Sequence, residues 1–138
     1  SYRSYGDEPD TSALNRKIIA LGKTLLLPRI DGQTLQWVKW NGKDSSLTKK
    51  KKIEEPLGDA ISDLSVIDLI VVPALRIDRK GYRLGQGGGF YDRALPQLSA
   101  WSIGLIHPDE ISSVDLPREE FDAPLNAAAT PDLILRIS

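Results

Sequence analysis

The sequence predicts an α/β fold built on a mostly parallel sheet, and three observations carry that prediction. Asp68 to Pro73 (DLIVVP) is a continuous β-branched run closed by proline, the pattern of a strand covered on both faces. A glycine-rich segment follows it, Gly81 to Arg93 (GYRLGQGGGFYDR), and Gly87 to Leu98 reads as the helix which that loop launches. Trp101 to Leu105 reads as another buried strand, and Pro131 to Ile137 as a last one. Strands alternating with helices or long connections pair in parallel and form layers.

The remaining elements follow in chain order. Residues up to Pro9 read as a loop. Asp10-Thr11 then occupy an N-cap position ahead of Leu14, Ile18, Ile19 and Leu21 at helical spacing, and Gly22 supplies a C-terminal stop. Thr24 to Leu27, closed by Pro28, reads as a short strand buried on both faces. Thr34 to Trp40 (TLQWVKW) alternates and is rich in strand formers, so it reads as a half-exposed strand after an Asp31-Gly32 turn. Lys49 to Lys52 are four consecutive lysines, either a solvated loop or strand edge, or a phosphate-attracting tail. No internal repeat is visible.

The bulk numbers bound the function. A chain of 138 residues is the size of one domain, and 41% hydrophobic with 27% charged residues describes a globular protein. A net charge of −1 argues against a general affinity for nucleic acid. Absence of cysteine removes disulfides and thiolate metal sites, and fits a cytoplasmic protein. No apolar run reaches the ~18 residues of a membrane span, and no signal sequence opens the chain. The chain begins Ser1-Tyr2-Arg3 and contains no methionine, so it reads as processed or as a fragment.

The chemistry concentrates after the Asp68–Pro73 strand, at whose carboxyl end open α/β sheets place their ligands. Gly81, Gly85, Gly87, Gly88 and Gly89 let backbone N–H groups approach phosphate oxygens and permit positive φ. Arg83 and Arg93 flank the loop as charge partners for phosphate, and Asp92 could hold a divalent cation beside it. The segment is neither a Walker A loop nor GxGxxG. Its alternative reading is a glycine-rich turn shaped for tight packing. Glu8 and Asp92 also fit helix-start acids, Asp122 a turn residue, and His107 a loop histidine. Trp37 and Trp40 fit strand packing or stacking near adenine.

As a whole string, Val72 to Leu95 (VPALRIDRKGYRLGQGGGFYDRAL) resembles the signature of the 5-formyltetrahydrofolate cyclo-ligases, also called 5,10-methenyltetrahydrofolate synthetases. The matching positions are Pro73, Asp78, Gly81, Arg83, Leu84, Gly85, Gly87, Gly89, Phe90, Tyr91, Asp92 and Arg93. Glu8-Pro9-Asp10-Thr11, Glu55-Pro56, and Glu120 to Leu125 with Thr130 close behind are similar to further family elements, in the family's order. Ala74, Arg76 and Ile77 depart from the family's usual Gly, Ala and Phe, and Arg76 points either to solvent or toward phosphate.

The resemblance implies a three-layer, Rossmann-like fold of the NagB/RpiA/CoA-transferase-like kind. Residues 1–138 would then form a single domain, N-terminally truncated, with the family's basic N-terminal helix missing. It implies conversion of 5-formyltetrahydrofolate into 5,10-methenyltetrahydrofolate with ATP and Mg²⁺, releasing ADP and phosphate. Arg83, Leu84, Gly85, Gln86, Gly87, Gly88, Gly89, Phe90 and Tyr91 would surround ATP, with Arg83 and Tyr91 catalytic. Gln86, Gly87, Gly88, Gly89 and Phe90 would also border the folate, joined by Tyr2 and by Glu8 against the pterin. Asp92 and Asp122 would hold Mg²⁺. The protein is expected to act as a monomer, without nucleic acid or membrane. A non-catalytic folate- or nucleotide-binding relative, and another phosphate-binding α/β module, are the alternatives.

Overall fold

The computed structural model describes residues 1–50, 52–85, 88–118 and 122–138, with Lys50 as backbone only. Among the described residues the α-helices are α1 (Ser12–Ala20) and α2 (Phe90–Ala94). The strands are β1 (Leu26–Asp31), β2 (Thr34–Lys39), β3 (Leu47–Lys50), β4 (Ile53–Pro56), β5 (Leu69–Pro73) and β6 (Arg76–Asp78). They continue as β7 (Arg83–Leu84), β8 (Trp101–Leu105), β9 (Ile111–Ser112), β10 (Ala127–Ala129) and β11 (Ile134–Arg136).

The central sheet has the order β11-β10-β8-β5. β5 pairs with β8 and β8 with β10 in parallel, while β11 closes one edge antiparallel to β10. The α/β class is present, but with sheets of mixed orientation: β1-β2 and β3-β4 form antiparallel pairs, and β7-β6-β9 a small mixed sheet. Ile70, Val71 and Val72 of β5 are all buried, as a strand covered on both faces requires. Gly104 stands mid-strand in β8 because a Cβ there would overlap Ile77 Cδ1 and lie 2.8 Å from Leu125 Cδ1. Those two side chains join Trp37, Ile70, Val72, Ala74, Leu95 and Ile106 in the main core. β8 itself alternates, half-buried at Trp101 and Ile103 and buried at Ser102 and Gly104, where a wholly buried strand was expected. The last expected strand shortens to β11, whose Ile134 is exposed.

Thr24 to Leu27 departs most from expectation. Instead of a short strand buried on both faces and ended by Pro28, its apolar residues lead into β1, one arm of an antiparallel hairpin with β2 in the register Leu26↔Lys39 to Asp31↔Thr34. The chain reverses at Gly32, which takes a left-handed φ of 61° that glycine adopts without steric cost. Pro28 does not end the strand; it sits within β1 opposite Trp37. A short apolar run has no periodicity of its own to separate the two outcomes, so the turn decides. In β2 Trp37 and Val38 are both buried, because the main core holds Trp37 while Val38 bridges to Ala60.

α1 packs Ile18 and Ile19 against a second cluster of Leu25, Leu27 and Trp40. Thr11 does occupy its N-cap position, yet its hydroxyl donates to Tyr2 O (2.7 Å) instead of capping the helix. Asp10 Oδ1 accepts the Ser12 N–H, and Leu21 is exposed beyond the packed face. The helix expected over 87–98 is shorter: α2 starts after Gly89, and Leu95–Gln97 form a 3₁₀ turn. Pro96 lacks the N–H that a continuing α-helix needs.

Candidate functional site

The glycine segment is held by a buried carboxylate. Asp78 Oδ1 accepts the N–H groups of Lys80 and Tyr82, each at 3.0 Å, and Oδ2 accepts that of Leu116 at 3.0 Å. Gly81 completes this turn with φ 93° and accepts Leu125 N–H at 2.8 Å. A Cβ at Gly81 would overlap the Leu125 carbonyl oxygen, so the position admits glycine alone. Leu75 N–H to Leu84 O (2.8 Å) and Asp78 N–H to Tyr82 O (2.9 Å) then return the chain toward the end of β5.

That return delivers Arg83 to the carboxyl end of the parallel sheet. Its side chain is 5% exposed, with Nη2 3.6 Å from Asp92 Oδ1. Nη1 donates to Pro73 O at 3.0 Å, and the guanidinium lies 5.4 Å from the Tyr91 ring centroid. Arg83 Nε is buried with no partner among the described residues. An unsatisfied buried donor on a cation is costly, and an anionic acceptor would relieve it. Burial lowers the Arg83 pKa, with Asp92 opposing, yet a guanidinium stays charged at any physiological pH. Burial also pushes the Tyr91 phenol well above its ordinary value, with Arg83 pulling the other way, so it remains a neutral donor.

These residues open onto a cavity of about 660 Å³. Tyr2, Glu8, Arg83, Leu84, Gly85, Gly88, Gly89, Phe90, Tyr91, Asp92 and Asp122 all line it, so the described residues to which the resemblance gives ATP, folate or Mg²⁺ contacts share one space. Gln86 and Gly87 lie outside the described residues, as do Glu120 and Phe121 of the late acidic element. Glu8 is buried, and its Oε1 accepts Tyr5 N–H at 3.0 Å. Tyr2 is also buried, its hydroxyl without a hydrogen-bond partner among the described residues. Burial first, and Glu8 second, push its phenol up.

Other expectations resolve differently. Arg93 does not line the cavity; Nε donates to Gln33 O (2.7 Å) and Nη2 to Gly88 O (3.1 Å), fastening the loop to the β1–β2 turn. Arg76 is exposed and outside the cavity lining. His107 is an exposed loop residue whose Nε2 lies 3.0 Å from Asp7 O. Trp37 packs edge-to-face on Tyr91 with ring centroids 6.3 Å apart, and Trp40 lies in the second cluster; neither lines the cavity. The opposite wall had gone unread: Arg3, Tyr5, Pro28, Ile30, Leu35, Ile53 and Glu54. Its signal was the β1–β2 alternation, but only the folded hairpin shows which side faces a ligand.

The donor set fits a nucleotide with its metal. Arg83 and the backbone of Gly85, Gly88 and Gly89 suit phosphate oxygens. Among the described residues no three His, Cys, Asp or Glu side chains cluster as a metal site. Mg²⁺ usually takes one or two carboxylates plus phosphate oxygens and waters, so Asp92 and Asp122 on one cavity are compatible with it.

Fold and cavity together describe an α/β protein whose glycine-rich segment and Arg83 line a cavity at the carboxyl end of β5. The chain belongs to the 5-formyltetrahydrofolate cyclo-ligase family, whose sequence profile matches residues 1–131. It is 31% identical over 141 aligned residues to the 5-formyltetrahydrofolate cyclo-ligase of Escherichia coli (strain K12), covering 96% of this chain and 77% of that one. It is 33% identical to the enzyme of the same name from Mycolicibacterium smegmatis, covering 95% of this chain and 72% of that one. The fold is similar to the Aquifex aeolicus 5,10-methenyltetrahydrofolate synthetase, with a TM-score of 0.81 and 27% identity over 99% of this chain and 69% of that one. No helix among the described residues is long and apolar enough to cross a membrane.

Proposed function

We propose that this protein converts 5-formyltetrahydrofolate into 5,10-methenyltetrahydrofolate in an ATP-dependent ring closure that releases ADP and phosphate. The observation that carries the reading is the convergence of Arg83, Gly85, Gly88, Gly89, Asp92, Asp122 and Glu8 on one cavity. Family membership over residues 1–131 supports it independently. The formyl oxygen attacks the γ-phosphorus and the bond to ADP breaks. The neighbouring folate nitrogen then attacks the formyl carbon, and phosphate departs as the ring closes. Positioning and charge neutralisation carry such a reaction, with no protein nucleophile required.

Within that scheme Arg83 neutralises charge developing on the transferred phosphoryl group, and its burial strengthens the interaction. Tyr91 stays neutral and packs against the Arg83 guanidinium, fixing its direction. The backbone from Leu84 to Phe90 borders ATP, Gly88 to Phe90 also meet the folate, and Gln86 and Gly87 belong to both sets. Glu8 faces the donor edge of the pterin and Tyr2 its ring. Asp92 and Asp122 would hold Mg²⁺, which supplies charge neutralisation on the phosphates. Residues 1–138 act as one domain of the layered NagB/RpiA/CoA-transferase class, a reading supported by the parallel β5, β8 and β10. We read the protein as monomeric, cytoplasmic and without nucleic-acid partners. Mixing it with 5-formyltetrahydrofolate, Mg²⁺ and ATP should raise absorbance in the methenyl-folate band; a trace that stays flat with ATP present would refute the reading.

A further inference from the structure

Tyr2 and Glu8 reach the cavity from a segment, residues 2–8, that contains no strand or helix to hold it. Side chains of the helix that follows hold it instead. The Tyr2 carbonyl accepts the Thr11 hydroxyl at 2.7 Å and the Asn15 Nδ2–H at 2.9 Å. Ser4 and Thr11 exchange a further pair of bonds. Ser4 N–H donates to Thr11 Oγ1 at 3.1 Å, and Thr11 N–H donates to Ser4 Oγ at 3.0 Å. At the far end of the segment, Glu8 Oε1 accepts Tyr5 N–H at 3.0 Å.

These bonds do not serve helix α1 itself. Thr11 is its N-cap residue, where a threonine hydroxyl ordinarily accepts an N–H of the first turn, and that capping bond is absent. Asn15 stands one turn further on, on the same side of the helix as Thr11, and each is only 1% exposed. An apolar pair at these positions would be buried without desolvating a polar group, and asparagine is a poor helix former. Asn15 Oδ1 has no partner among the described residues, so this amide acts as a donor alone. What accounts for the polar identity of both positions is the segment they hold.

We propose that Thr11 and Asn15 are positioning residues for the folate, acting through Tyr2 and Glu8. The inference rests on the folate reading above and adds two residues that do not line the cavity themselves. With two donors on its carbonyl, Tyr2 has a fixed backbone. Its buried ring, whose hydroxyl finds no partner among the described residues, is thereby preorganised for a ligand. Glu8 lies three residues before Thr11, so the same grip sets its place. Released, residues 2–8 would have to be ordered again at each binding event, and affinity would fall by that cost. Arg83 rests on a separate anchor at Asp78, so ATP binding does not depend on the grip.

Calorimetric titration with 5-formyltetrahydrofolate, and separately with ATP and Mg²⁺, tests this without requiring turnover. Thr11→Val keeps the branched shape and removes the hydroxyl; it should weaken folate binding about tenfold and leave ATP binding within about twofold. Thr11→Ser, which restores a hydroxyl, should recover most of the lost folate affinity. Asn15→Ala removes the second donor where alanine suits the helix, and should weaken folate binding about threefold, again sparing ATP. Unchanged folate affinity in Thr11→Val would overturn the proposal. So would an equal loss for folate and ATP, which marks a merely structural role, or a Thr11→Ser variant as weak as Thr11→Val. Should Thr11→Val not fold, Asn15→Ala decides alone: unchanged folate affinity, or an equal loss for ATP, overturns the proposal. Failure of the unsubstituted protein to bind folate would instead overturn the parent reading, which stands whenever that binding is seen and only the variants behave otherwise.

Discussion

On the glycine-loop wall, Arg83 is 5% exposed and braced by the Pro73 carbonyl, Asp92 and the Tyr91 ring. Elsewhere in the lining, Arg3 is 21% exposed and pairs at 2.9 Å with Glu54 of β4, which is 38% exposed. The first wall holds its charge through burial and a backbone network anchored on Asp78; the second holds it through solvent-facing side chains. Charge in a buried, preorganised setting acts strongly on a reacting centre, whereas exposed charge tunes affinity and on-rate. Catalysis should therefore depend far more on the glycine-loop wall than on the Arg3–Glu54 pair.

The largest effect tests the buried wall directly. Arg83→Ala should lower kcat by about 10²–10³-fold, the cost typical of losing one preorganised electrostatic donor, while circular dichroism stays native. Next comes Gly81→Ala. Left-handed φ and overlap with the Leu125 carbonyl together should cost about 3 kcal/mol, read as a lower urea midpoint. Asp92→Asn should reduce kcat by about tenfold and raise the Mg²⁺ concentration for half-maximal rate without altering the melting temperature; unchanged Mg²⁺ dependence would remove Asp92 from the metal site.

Two smaller effects sharpen the contrast. The Tyr2 and Tyr91 phenols are raised by burial above their ordinary value. Above about pH 10 the unfolded chain releases these protons and the folded chain does not, so stability should fall as pH rises from there. Tyr91→Phe should lose less stability over that interval than the unsubstituted protein. On the exposed wall, Arg3→Ala should change stability by only about 0.2–1 kcal/mol, and less in high salt.

How far the sequence reveals this molecule follows the same division. β5 was legible because a continuous β-branched run leaves little alternative, and the turns after it because Gly81 and Gly89 take the positive φ that clustered glycines announce. Local chemistry was enough there. The Thr24 to Leu27 run was misread because its partner is chosen by the turn at Gly32, and the helix after the loop because Pro96 interrupts it. Arg93 looked equivalent to Arg83 in one dimension, yet the β1–β2 turn offers it the Gln33 carbonyl. Asp78 appeared only as one letter of a signature, while its contacts make it the anchor of the turn that delivers Arg83. The wall of Ile30, Leu35, Ile53 and Glu54 is assembled from two hairpins, so no single stretch of sequence announces it.

The central claim is that ATP and folate meet in this one cavity, and product stoichiometry tests it most directly. Methenyl-folate formed and phosphate released should appear in a one-to-one ratio, neither without the other substrate, and Arg83→Ala should suppress both together. Methenyl formation without ATP, or phosphate release that continues without folate, would contradict the account.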